Sequence, residues 1–159
     1  MFDHVDLAIR RADFDDPALA LFLTRHLDDL APTAPKESRH ALDIVSLREP
    51  SVRMWVGHVD DQLVVTGALV TIAGSNHDEE VKSMRTEPAV RGKGLGMAML
   101  THLAADARAR GVQRLWLETG SMEYFAAARA LYRRFGFTEC GPFGAYRADP
   151  NSTFMTAML

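Results

Sequence analysis

The chain has 159 residues, 47% hydrophobic and 25% charged, the balance of a globular domain with a core of its own rather than a disordered chain. A formal net charge of −3 argues against a nucleic-acid partner, and no stretch approaches the roughly 20 apolar residues that span a bilayer. The single cysteine, Cys140, excludes an intrachain disulfide; with a start that does not read as a signal peptide, it sets the expectation of a cytoplasmic protein.

Val5, Leu7 and Ile9 alternate with Asp6, Ala8 and Arg10, the period of a half-buried strand. Asp16-Pro17 supplies an N-cap and a first-turn proline for a helix carrying Leu19, Phe22, Leu23, Leu27 and Leu30, which Pro32 and Pro35 stop. A weaker helix follows with Ala41, Leu42 and Val45. His26 and His40 fall in these two helices without metal-ligand spacing, and no metal is expected. "VRMWVGHV" and "LVVTGALVTIA" read as two strands joined at Asp60-Asp61-Gln62, with a third from about Glu80 to Thr86. The next helix places Leu95, Met99, Leu100, Leu103 and Ala107 on one face and ends at Gly111. Met97 and Met99 read as core filling. "QRLWLET", the helix "YFAAARALYRRFG", "FTEC" and "TFMTAML" complete the order β-α-α-β-β-β-α-β-α-β-β. One mixed α/β domain over residues 1–159 is expected.

The third strand of the central run is chemically unusual. Glu80, Lys82, Ser83, Arg85 and Thr86 make it polar on both faces, so it is an exposed edge or it lines a cleft. The turn after it, "RGKGLG" at residues 91–96, has three glycines and two cations at the start of a helix. Such a turn points backbone N–H groups and the positive helix end at one anion. It lacks the spacing of a Walker A loop and the full G-x-G-x-x-G pattern.

Arg91-x-x-Gly94-x-Gly96 after a strand, with "ALYRRFGF" some forty residues later, resembles the GNAT superfamily of acyl-CoA-dependent N-acetyltransferases. The stretch from Leu117 to the C-terminus is similar to a subgroup of small bacterial acetyltransferases. The resemblance implies a mixed, mostly antiparallel sheet with helices on both faces and acetyl-CoA as cosubstrate. It implies that Gly92, Lys93, Gly94, Leu95 and Gly96 hold the coenzyme A pyrophosphate by their amides, with Arg91 and Lys93 adding charge. Met84, Arg85 and Thr86 would pair their backbone with the pantetheine arm, a free N–H there polarising the thioester carbonyl, and Tyr132 would protonate the departing thiolate. Many relatives carry asparagine seven residues before that tyrosine; here the position is Phe125, and Arg129 or Arg133 is the cation nearby that could reach phosphate.

The implied chemistry is direct attack of a primary amine, of a small molecule or peptide, on the thioester. Freeing the lone pair of a lysine-like amine at pH 7 costs about 4–5 kcal/mol, and that of an α-amine about 1–1.5 kcal/mol, so a general base matters most for the first. Glu80, six residues before Thr86, and Glu118, at the end of "LWLET", are the candidates. Either could instead be a solvated carboxylate or pair with Lys82 or Arg85. Glu118, Arg85 and Ser83 supply both signs for a zwitterionic acceptor such as an amino acid. "ETGSMEYF", the N-terminal helices and "GPFGAYRADPN" are expected to shape the pocket. A homodimer is compatible with the sequence. The alternatives are a coenzyme A-binding sensor without turnover and a transferase of longer acyl chains.

Overall fold

In the computed structural model, which describes residues 6–159, the strands are β1 (Ala8–Arg11), β2 (Val52–Val59), β3 (Gln62–Thr71), β4 (Asp78–Thr86), β5 (Arg114–Gly120), β6 (Thr138–Cys140) and β7 (Ser152–Met158). The helices are α1 (Pro17–Leu30), α2 (Ile44–Leu47), α3 (Leu95–Ala109) and α4 (Ala126–Phe135). The order matches the alternation of periods read from the sequence, although Val5 lies outside the described residues. The strands form one sheet in the order β1-β2-β3-β4-β5-β7-β6, and only the β4–β5 pair is parallel.

Local chemistry explains the boundaries. The Asp16 carboxylate accepts the Ala18 N–H at 2.9 Å and caps α1 ahead of Pro17. Asp60 and Asp61 both take positive φ, the backbone that a two-residue hairpin needs between β2 and β3. Gly111, also at positive φ, ends α3, and the Val112 N–H returns to the Ala107 carbonyl. The second helix is shorter than expected: Asp43 caps it through the Ser46 N–H, so α2 starts at Ile44 and His40 lies in the loop before it.

Alternation along β2 divides two cores. Met54 and Val56 pack with Leu19 and Leu23 of α1 and Leu47 of α2 on one face. On the other face Trp55 joins Val65, Leu69, Val81 and the α3 residues Met99, Leu100 and Leu103. The expected helix face of α3 is therefore the buried one. Met99 is core, whereas Met97 lines a cleft.

β4 is the centre of the sheet, so the edge-strand alternative is corrected. Its charged residues Glu79, Glu80 and Arg85 are buried with partners. Glu79 accepts two hydrogen bonds from Arg110 at 2.8 and 2.7 Å, and Arg85 donates to Asp29 of α1 at 2.8 Å. Ser83 sits at φ 55 where the β3–β4 register shifts, and this bulge inverts the facing of the strand. Before it Glu79 and Val81 face α3; after it Met84 and Thr86 do, while Arg85 turns to α1.

Candidate active site

β4 and β5 pair only through Asp78–Arg114, Glu79–Leu115 and Glu80–Trp116. Beyond Glu80 the strands part, and the edge of β4 that would have faced β5 has no ladder partner. A cleft opens there in two continuous compartments. The first, of about 430 Å³, runs along Met84, Arg85 and Thr86 to Arg91, Gly92, Gly94, Leu95 and Gly96. The second, of about 150 Å³, runs between Val81, Lys82 and Ser83 on β4 and Glu118, Thr119 and Gly120 on β5. His26, Leu30, Met84, Phe125, Ala128 and Tyr132 line both and mark the junction.

The glycine turn closes the first compartment. Gly92 and Gly94 both adopt φ 81, so the chain turns with its amides presented outward. Gly94 occupies the N-cap of α3, no side chain caps that end, and the first turn carries no acid. The first amides of any α-helix lack intrahelical partners, so this end leaves donors and a positive dipole facing the compartment. Gly96 permits close packing, since a Cβ there would lie 3.0 Å from Leu131 Cδ2. Arg85, Arg91 and Arg134 line the compartment with no carboxylate among its lining residues. Arg85 is paired with Asp29, so Arg91 and Arg134 supply a local positive charge in a chain of net charge −3. Lys93 is exposed on the same turn, and Arg91 folds back, its Nε donating to the Thr86 carbonyl at 3.1 Å.

At the junction, Tyr132 is buried on α4, edge-on to Phe137, and its hydroxyl makes no hydrogen bond to the protein among the described residues. Burial and the nearby Glu118 charge raise its pKa, so it remains a protonated donor. Glu118 points into the second compartment and accepts a hydrogen bond from Ser152 Oγ at 2.8 Å. Burial pushes its pKa up, with Ser152, His40 and Lys82 opposing. His26 is held neutral, its pKa lowered to about 4 by burial and by Arg85. Ser83 Oγ is buried with no partner among the described residues.

Glu80 is placed differently. It accepts hydrogen bonds from Tyr146 at 2.5 Å and from Lys82 at 3.3 Å, and it lines a separate cavity beneath the loop that carries Tyr146. The structure brings Glu118 and Tyr132 to one cleft and leaves Glu80 outside its lining. Arg129, which the sequence offered as a cation that could reach phosphate, is committed elsewhere: it donates to the Gly120 and Met122 carbonyls at 2.7 and 2.8 Å and pins the start of α4. Arg133 lies on the exposed face beside Glu139, and Arg134 is the α4 cation that reaches the cleft. Sequence reasoning missed Arg39, which enters the second compartment from a loop that carries no periodic signal; Asn151, at the end of the "GPFGAYRADPN" stretch expected to shape the pocket, lines it too.

Comparison with known proteins agrees with this geometry. The profile of the Acetyltransferase (GNAT) domain matches residues 50–139. The chain belongs to the GNAT acetyltransferase family. It is 40% identical to the uncharacterized N-acetyltransferase YsnE of Bacillus subtilis (strain 168), over 95% of this chain and 99% of that protein. It is 38% identical to the IAA acetyltransferase of Azospirillum brasilense, over 94% and 95%. A crystal structure from Klebsiella pneumoniae subsp. pneumoniae MGH 78578, assigned as an acyl-CoA N-acyltransferase, superposes with a TM-score of 0.78 at 28% identity, over 98% and 99%.

This acetyltransferase is therefore an acetyl-CoA-dependent N-acetylating enzyme. The amides of the glycine turn, Arg91 and Arg134 without carboxylate partners among the described residues, and an unpaired β4 edge suit a long cosubstrate that is anionic at one end and apolar along its arm. Among the described residues no group of three or more His, Cys, Asp or Glu is placed to hold a metal, and no helix is long and apolar enough to cross a membrane.

Proposed function

We propose that this acetyltransferase transfers the acetyl group to the primary amine of a small molecule or peptide by direct attack, within a single domain formed by the whole chain. The observation that carries the reading is the shared cleft: a carboxylate, Glu118, and a phenol, Tyr132, meet where β4 and β5 part. Residues 92–96 and Arg91 hold the pyrophosphate, Lys93 adds charge, and the Met84–Thr86 edge orients the arm. The cosubstrate supplies an acetyl group on a thiol leaving group. Glu118 takes the proton from the amine, directly or through water, and Tyr132 returns one to the sulfur. A buried carboxylate of raised pKa is a stronger base than a solvated one, and Glu118, rather than Glu80, takes that role. The lone cysteine suits a reducing, cytoplasmic setting, and a homodimer is compatible with the fold.

Tyr132→Phe tests the reading with little change of shape. The expected result is a fall in kcat of about tenfold, modest because a thiol of pKa about 8.5 already leaves tolerably, with KM for acetyl-CoA unchanged. Wild-type kcat in this variant removes Tyr132 from the chemistry.

Cys140 lies on β6, half-buried, and lines neither compartment of the cleft. Burial raises its pKa, the wrong direction for a nucleophile. Cys140→Ser is expected to keep kcat within about twofold, and a dead variant would establish a covalent acetyl-cysteine route instead.

A further inference from the structure

Charged groups in the second compartment are unevenly divided by sign. Glu118 is its one carboxylate, while Arg39 and Lys82 are its cations, and the neutral His26 lines the same space. Lys82 is partly committed, donating to Tyr146 at 2.8 Å and to Glu80 at 3.3 Å. Arg85, the cation that the sequence offered for a zwitterion, is committed to Asp29 and stacks over Phe22. Arg39 has no ion-pair partner among the described residues; it is exposed at the end of the Lys36–Ser38 turn and lines the compartment. The buried Ser83 Oγ adds a polar group still awaiting a partner. Leu30, Val81, Met84, Met122, Phe125 and Ala128 give the lining an apolar part, beside the polar Thr33, Ser38, Thr119 and Asn151.

We propose that the acceptor is a free amino acid with an apolar side chain, its amine beside Glu118 and its carboxylate on Arg39, with Ser83 Oγ completing the polar contacts. The assignment rests on the reading of Glu118 and Tyr132 as the reacting end of the cleft. An ammonium needs an anion, and the site has one. A guanidinium without a carboxylate partner matches a carboxylate in two parallel hydrogen bonds. An acceptor with several amines would set its further positive charges among Arg39 and Lys82, which disfavours polyamines and aminoglycosides. In the step, the amine nitrogen bonds to the acetyl carbon as the carbon–sulfur bond breaks. The bound ammonium first releases one proton to solvent to free its lone pair; on attack a second amine proton leaves to Glu118 and one goes from Tyr132 to the thiolate, and the Glu118 proton returns to Tyr132 through solvent, giving an N-acetyl amino acid and free coenzyme A.

The experiment is initial-rate thiol release with matched sets: alanine, valine, leucine, methionine and phenylalanine, each beside its amide and its decarboxylated amine. Within a set, the acid is expected to exceed both analogues in kcat/KM by about 30-fold or more, the order expected for a site left with an unpaired charge. The amides make this a strict comparison, because losing the neighbouring negative charge lowers their amine pKa and favours attack. Arg39→Gln should raise KM for the preferred acid about tenfold or more, keep its kcat, and leave the corresponding amide unaffected. Analogues that react as well as the acids, or an Arg39 variant with wild-type KM, would overturn the assignment. Calorimetry with acetyl-CoA separates the two levels. Binding of acetyl-CoA without turnover of any acid rejects the amino acid and spares the cleft. Failure to bind acetyl-CoA removes both together.

Discussion

Glu118→Gln is expected to lower kcat by about 10²-fold or more without lowering the melting temperature. The amide keeps an oxygen to accept from Ser152, so the local hydrogen bond survives while the base is lost. The pH dependence follows from the sign of the shift. Activity requires the ionised carboxylate, so in the wild type kcat/KM rises with pH through a pKa above the ordinary glutamate range. The variant should lack that acidic limb. Stability runs the other way: a carboxyl whose folded pKa is raised favours folding below its unfolded pKa, and this contribution is lost as pH rises through the folded value. At neutral pH the charged Glu118 therefore opposes folding, and removing the charge costs no stability. Rate–pH profiles and thermal melts of both proteins check this. A variant with wild-type kcat transfers the base role to Glu80 or to water, and Glu80→Gln is the next measurement.

Gly120→Ala is expected to destabilise the fold by about 2 kcal/mol, a fall of about 4–8 °C in melting temperature, and to weaken acetyl-CoA binding as well. A Cβ at Gly120 would stand inside the ring of Phe125, against its Cδ2, Cε2 and Cγ atoms. Phe125 cannot retreat freely. It heads α4, its neighbour Tyr124 stacks edge-on with ring centroids 4.9 Å apart, and Arg129 ties α4 to the Gly120 carbonyl. Because Phe125 lines both compartments, the displaced ring narrows the cleft. Gly141→Ala is the control, since a Cβ there meets nothing and the change should stay within about 0.5 kcal/mol. Equal melting temperatures for the two variants would show that Phe125 has room to move.

Much of this arrangement was legible in the chain. The alternation of β2 and β3, the Asp16-Pro17 start, the Gly111 and Gly136 stops and the α3 face are local patterns, and each element forms where its pattern stands. The glycine turn was legible for the same reason, because positive φ at Gly92 and Gly94 is a property of neighbouring residues. Phe125 was visible as a departure from the family pattern, but its contact with Gly120 was not.

The chain by itself therefore determined the order of elements, the family and the end of the cleft that meets an anion. Tertiary structure alone decided which polar side chains are spent. Glu79, Arg85 and Arg129 are closed into ion pairs or carbonyl contacts, Glu80 is held under Tyr146, and Glu118 and Tyr132 are left facing one space. The bulge at Ser83 made that division by inverting β4 halfway along, and the parting of β4 from β5 opened the space. Both depend on which strands become neighbours, and that is set by the packing of distant segments on the two faces of the sheet.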